Sequence, residues 1–198
     1  MRASAANDLS STPSPSRAAA SRDLEPEEES KVVVQAQAGS TIAFERLVQH
    51  YQSRLMRYLM VRGFNRADAE DVVQITFINA WTYLHSYRQE WRFSTWLFTI
   101  ARRNLPSQRT ETVTLDSADE VVALGDNAFD AKLRESVWSQ ARIALDPQAF
   151  DALWLHHGEG FTGREVARIL NRSPIWVRVS LHRSRSRLKA MLNKEHAS

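Results

Sequence analysis

Residues 162–183 read TGREVARILNRSPIWVRVSLHR, and two helix starts are written into that stretch. Thr162, with Glu165 three residues on, is a capping box in form and opens a short helix whose inner face is Val166, Ile169 and Leu170. Asn171 suits the residue that closes a helix, and Ser173 followed by Pro174 is a second cap with proline in the first helical turn. The helix it starts carries Val177, Leu181, Leu188 and Leu192 on its inner side. A short capped helix, a turn of about four residues and a longer basic helix predict a helix-turn-helix, whose second helix normally enters the major groove. Arg172, Ser173, Pro174, Ile175, Trp176, Arg178, Val179, His182 and Arg183 are then left to meet DNA. The early ones would touch base edges, while Arg183, with Arg185 and Arg187, would mainly neutralise phosphates. The alternative is an ordinary helical hairpin with a basic exterior.

The distribution of charge favours DNA. The 198-residue chain is only +3 overall, yet residues 161–198 carry nine basic against two acidic side chains, residues 111–160 carry three against ten, and residues 1–30 carry three against six. A +7 segment ending in Arg183, Arg185, Arg187 and Lys189 is the electrostatic footprint of a phosphate-binding surface. Cysteine is absent, which excludes disulfides, thiolate metal sites and a cysteine nucleophile. No apolar run approaches membrane-spanning length and the N-terminus lacks a signal-peptide core, so a soluble, unexported chain without membrane insertion is expected, in the cytoplasm.

Upstream of the motif, Asp146 and Pro147 start a helix through Phe150, Leu153, Trp154 and Leu155 that Gly158 and Gly160 end. Before it, a helix from near Phe129 runs through Leu133, Val137, Trp138, Ala141 and Leu145. Residues 106–128, with Pro106, Gly125 and a scatter of carboxylates, read as an acidic flexible linker separating two units. The first unit opens with Pro26 and Glu27 to Glu29 in a first turn, through Val32, Val33 and Ala36 to a stop at Gly39. Ser40 caps a helix bearing Phe44, Leu47, Val48, Tyr51, Leu55, Tyr58 and Leu59, with Gly63 at its end. Asn65 caps the next, whose apolar set of Val72, Val73, Ile75, Phe77, Ile78, Trp81 and Leu84 is too wide for one face; part of it should be exposed and meet a partner. A last helix through Trp96, Leu97 and Ile100 must end before Pro106. The prediction is an all-α chain: a disordered tail over 1–24, a helical domain over 25–105, the linker over 106–128 and a second helical domain over 129–195.

Residues 87–103 interleave Tyr87, Trp91, Phe93 and Trp96 with Arg88, Arg92, Arg102 and Arg103, a composition suited to stacking unpaired bases beside phosphates. Phe93 and Trp96 have core packing as the competing assignment.

With these stretches in place the chain resembles the extracytoplasmic-function sigma factors of bacterial RNA polymerase. The resemblance covers residues 31–105 and 129–192. It rests on Ala43, Phe44, Glu45 and Leu47; on residues 68–74 (DAEDVVQ) with Thr76, Phe77, Ala80 and Trp81; on residues 93–97 (FSTWL) with Ile100, Ala101 and Arg102; and on Glu165, Val166, Ala167, Ile169 and Leu170 with residues 181–188 (LHRSRSRL). It implies a non-enzymatic initiation factor that needs no cofactor and binds core RNA polymerase and promoter DNA, as a monomer or paired with an anti-sigma factor when free. It implies polymerase contacts at Asp71, Gln74, Ile75 and Ile78; minus-ten contacts at Tyr87, Arg88, Trp91, Arg92, Arg102 and Arg103; and reading of the minus-thirty-five element by the helix beginning at Pro174. Ile75 stands where the family often has glutamate, Pro106 cuts short a helix that usually runs on, and Pro174, Ile175 and Trp176 replace smaller residues. Two other functions are open on the residues alone. A stand-alone helix-turn-helix regulator would explain only the C-terminal half, and a metal-dependent nuclease would have to use Asp68, Glu70 and Asp71, with no further ligand in place.

Overall fold

The computed structural model describes residues 24–106 and 137–195. The tail, the linker and the helical onset near Phe129 and Leu133 fall largely or wholly outside them. Among the described residues the order is α1 (Pro26–Gln37), α2 (Thr41–Arg62), α3 (Arg66–Tyr83), a short 3₁₀ turn (Leu84–Ser86), α4 (Phe93–Asn104), α5 with described residues 137–144, α6 (Pro147–His157), α7 (Gly163–Leu170) and α8 (Pro174–Glu195). No strand occurs among them.

Local chemistry places the boundaries where the sequence puts them. Ser40 Oγ accepts from Ala43 N at 3.2 Å, Asn65 Oδ1 from Asp68 N at 2.8 Å, and Asp146 Oδ1 from Gln148 and Ala149 N at 3.1 and 3.0 Å. Gly63 closes α2 in the left-handed region at φ 101°, where a side chain would be strained and would collide with the Arg142 guanidinium. Asn171 closes α7 at φ 52°. α4 stops at Asn104, two residues before Pro106.

α1 packs on α2, and α2, α3 and α4 pack on one another around Leu47, Tyr51, Leu55, Leu59, Phe77, Leu97 and Phe98. α6, α7 and α8 enclose Phe150, Leu155, Val166, Ile169, Val177 and Leu181.

The two groups pack on each other, α4 on α7 and α2 on α6. Phe98 meets Phe161 edge-on with centroids 5.1 Å apart. Around that contact run polar bonds of one polarity, with acids from the C-terminal group and hydroxyls or arginines from the N-terminal group. Asp151, its side chain fully buried, accepts from Tyr58 Oη at 3.0 Å and faces Arg62 Nε at 2.9 Å and Arg102 Nε at 3.4 Å. Glu159, equally buried, takes Arg54 Nε at 3.0 Å and Arg57 Nη2 at 3.2 Å. Glu165 Oε1 accepts from Thr95 Oγ1 at 3.0 Å. Each acid lies in an otherwise ordinary helical or turn context, so only assembly of the whole chain reveals its role.

Candidate nucleic-acid and polymerase interfaces

α8 begins where Ser173 Oγ accepts the Trp176 amide at 3.1 Å, after a turn of three residues. Val177 and Leu181 face inward, and so do Ser180 and Ser184, whose small side chains let α8 lie close to its neighbours. That leaves Ile175 (67% exposed), Arg178, Val179, His182 and Arg183 in solvent on the outer side. Arg172, Ser173 and Pro174 are exposed at its start. Trp176 is half-buried beneath Arg172, whose guanidinium carbon stands 5.5 Å from the ring centre. Arg172 Nε and Nη2 also donate to Gln148 Oε1 at 3.0 and 2.5 Å, so the arginine is held at the start of the helix by α6. The arrangement offers three exposed charged or ionisable side chains, Arg178, His182 and Arg183, over little more than one helical turn.

The aromatic loop divides differently from its composition. Tyr87, expected to meet unpaired bases, is 8% exposed, with its ring against Phe93 and Trp96 and its hydroxyl donating to the Trp91 carbonyl at 2.7 Å. Burial, with Glu29 nearby, pushes its phenol up to about 12. Tyr87 is therefore a brace that fixes the loop rather than a stacking surface. Phe93 is core and Trp96 half-buried, so the ring available at the loop is Trp91, also half-buried, flanked by exposed Arg88 and Arg92. Gln37 Nε2 tethers the near end of the loop, donating to the Leu84 and Tyr87 carbonyls at 3.0 Å each. Arg103 is exposed, whereas Arg102 is engaged with Asp151 and is not free in this arrangement.

On α3 the over-wide apolar set splits as its width requires. Val72, Val73 and Phe77 are buried, while Ile75 (47%) and Ile78 (56%) are exposed beside exposed Asp71 and Gln74. Gln74 and Ile78, with Phe44, Val48, Met56 and Trp81, line an apolar groove of about 570 Å³ between α2 and α3. Asp68 and Glu70 are occupied by Asn65 Nδ2 at 2.9 Å and Arg66 Nε at 2.9 Å. Among the described residues no three His, Asp or Glu side chains are grouped to hold a metal ion, and no helix is long and apolar enough to cross a membrane.

The residues that the sequence left unmarked are Arg54, Arg57 and Arg62 on one side of the interface and Asp151 and Glu159 on the other, while Glu165 was marked only as the acid of a capping box. Arg54 and Arg62, four residues either side of Tyr58, were the available signal, but the partners of this row lie about a hundred residues away.

Comparison with known proteins agrees with this layout. Residues 47–108 match the family model for sigma-70 region 2 and residues 143–188 that for sigma-70 region 4. The chain is 30% identical over 163 residues to the RNA polymerase sigma factor CarQ of Myxococcus xanthus, covering 79% of this chain and 92% of CarQ. It is 29% identical over 152 residues to the ECF RNA polymerase sigma factor BldN of Streptomyces coelicolor, covering 72% of this chain and 58% of BldN. Its fold resembles that of CnrH, solved in complex with the cytosolic domain of CnrY, with a TM-score of 0.65 at 24% identity over 84% of this chain and 97% of that one. Two sigma-70 regions in their proper order, with sigma factors as relatives over most of the chain, place it in the extracytoplasmic-function sigma factors, the RNA polymerase subunits that direct promoter-specific transcription.

Proposed function

We propose that the chain docks on core RNA polymerase through α3, with Asp71, Gln74, Ile75 and Ile78, and reads its promoters at two places. The outer side of α8, from Arg172 to Arg183, meets the minus-thirty-five duplex, with Arg178 at base edges and Arg183 at phosphate. The loop between the 3₁₀ turn and α4 takes an unpaired minus-ten base, with Trp91 as its ring and Arg88, Arg92 and Arg103 as its charges. The domains are residues 25–105 and 129–195, joined by residues 106–128. The observation that carries the reading is the separation of work along the fold: an exposed basic helix face in one unit and, in the other, an exposed mixed apolar and polar helix face beside an arginine-rich loop. The protein acts in the cytoplasm and catalyses no reaction of its own. CnrH has been solved with a cytosolic protein domain bound, which supports an anti-sigma factor as this chain's further partner.

The experiment is transcription in vitro with core polymerase and this protein on a library of promoter fragments, with the transcripts sequenced. Start sites that appear only when both are present, and that share an upstream and a downstream element, support the reading. Tight binding of a symmetric duplex site without polymerase would instead favour a stand-alone regulator.

A further inference from the structure

The loop that presents Trp91 has little backbone support. Residues 87–92 lie outside any helix, and among the described residues no backbone-to-backbone hydrogen bond reaches residues 88–91. A loop without such bonds samples many shapes unless side chains hold it. Here the holding group comes from α1. Gln37, half-buried in the last turn of that helix, donates through Nε2 to the Leu84 and Tyr87 carbonyls at 3.0 Å each, and so spans the 3₁₀ turn from which the loop departs. Two carbonyl acceptors call for the NH₂ end of the amide, which carries two hydrogens to give.

α1 is itself locked in place. Glu29, Val33 and Gln37 follow at four-residue steps and lie along one face, roughly 12 Å from end to end at about 1.5 Å per residue. At the far end buried Glu29 accepts the Tyr51 hydroxyl, and the Tyr51 ring packs on Phe93, itself packed on Tyr87. Val33, between the two polar ends, is core. A helix pinned by an acid at one end and offering an amide at the other fixes where the 3₁₀ turn ends and where the chain toward Trp91 begins. The outer side of α1 meets the loop again, where Ser30, Lys31, Val34 and Gln35 line a groove of about 350 Å³ together with Gln89.

We propose that Gln37 is a positioning residue for capture of the minus-ten base. α1, which precedes the stretch matching sigma-70 region 2, presets the loop so that Trp91 meets the unpaired base without first having to order its own backbone. Gln37 touches no DNA and acts through Trp91. The inference rests on the reading that Trp91 takes the unpaired base, and one set of measurements separates the two.

Holoenzyme is formed from core polymerase and the full chain, then bound to promoter fragments held open at the minus-ten region by mismatched strands, with each unpaired base in turn present or removed. At the captured position the ratio of the two affinities reports capture alone, because folding and phosphate contacts enter both alike. One stacked base should give a ratio of about tenfold, which Trp91→Ala should bring close to one. Gln37→Ala, and Gln37→Glu with the same shape but no hydrogen to donate when ionised, should each lower the ratio about threefold. Affinity for the abasic fragment, helix content by circular dichroism and binding of core polymerase should stay as in the parent. Gln37→Ala combined with Trp91→Ala should be no worse than Trp91→Ala alone, the mark of two residues acting in series. The proposal is overturned if both Gln37 variants keep the parent's ratio, if they weaken natural and abasic fragments by the same factor, as a purely structural role would, or if the double variant falls below Trp91→Ala. Should Trp91→Ala itself keep the ratio, capture by Trp91 fails and the proposal with it; should Trp91→Ala lose the ratio while the Gln37 variants keep it, the role of Gln37 alone fails.

Discussion

Two arginines on one helix face carry different expected tasks because of where they stand. Arg178 is in the second turn of α8, within reach of a base edge, and a bidentate arginine contact to guanine is worth about 1–3 kcal/mol of discrimination. Arg178→Ala should relax preference at one or two positions of the upstream element. Arg183 lies further along, so Arg183→Ala should weaken all promoters alike and lower the salt dependence by about one ion. Initiation from a library of upstream elements at several salt concentrations distinguishes them, and a uniform loss with Arg178→Ala would require a different placement of α8 in the groove. The aromatic loop offers a second contrast. Trp91→Ala should impair opening of duplex promoters and be partly rescued on templates already melted at the minus-ten region. Tyr87→Phe removes only the bond to the Trp91 carbonyl, so it should cost stability on the order of 1 kcal/mol and depress both templates equally. Rescue of Tyr87→Phe by melted templates would return the tyrosine to the DNA surface. Its sequence neighbourhood resembles that of Trp91; what differs is that the Tyr87 ring is wedged against Phe93 and Trp96.

At the scale of an element, α7 shows one side chain serving two purposes. Glu165 Oε2 accepts from the Thr162 amide and hydroxyl, both at 2.8 Å, completing the capping box, while Oε1 reaches across to Thr95. Thr162→Ala should therefore cost about 1 kcal/mol, the worth of a cap, and Glu165→Ala more, because it also strands the Thr95 hydroxyl in a buried position. Chemical denaturation measures both, and equal losses would mean that the Thr95 bond contributes nothing. α3 gives the complementary case, an exposed face whose loss should spare the fold. Asp71→Ala with Gln74→Ala should weaken core-polymerase binding while shifting stability by no more than about 0.5 kcal/mol. Normal polymerase binding by that double variant would remove α3 as the docking face.

For the whole molecule, closure is linked to protons through Asp151. Burial raises its carboxyl above the ordinary carboxylate value, while Arg62, Arg102 and Tyr58, which face it from α2 and α4, pull it down without cancelling the rise. A carboxyl raised in the closed form and ordinary in the open form favours closing fully below the ordinary value. That contribution is lost as the pH rises through the raised value. Energy transfer between dyes on Ser53→Cys and Ala190→Cys, both exposed positions in a chain without native cysteine, should therefore increase as the pH falls from neutral toward about 4, and Asp151→Asn should flatten that part of the profile. An unchanged profile in Asp151→Asn would assign the dependence to other groups.

What the sequence determined by itself was everything that local chemistry can specify. Ser40, Asn65, Asp146, Thr162 and Ser173 each bond an amide within three residues, so helix starts were legible as written, and so was the helix-turn-helix built from two of them. The excess width of the α3 apolar set was likewise countable, because a helix has only one buried side. Tertiary structure decided the matters that depend on distant partners. Which aromatic in the loop is brace and which is surface depended on packing against α4. Arg102 was read as a DNA contact and is found opposite Asp151. The closed packing of the two units rests on pairs such as Tyr58 with Asp151 and Arg54 with Glu159, 93 and 105 residues apart, and no periodicity or cap encodes a bond over that distance. Such a bond exists only once hydrophobic closure around Phe98 and Phe161 has brought the two faces together and excluded the water that would otherwise solvate each charge separately.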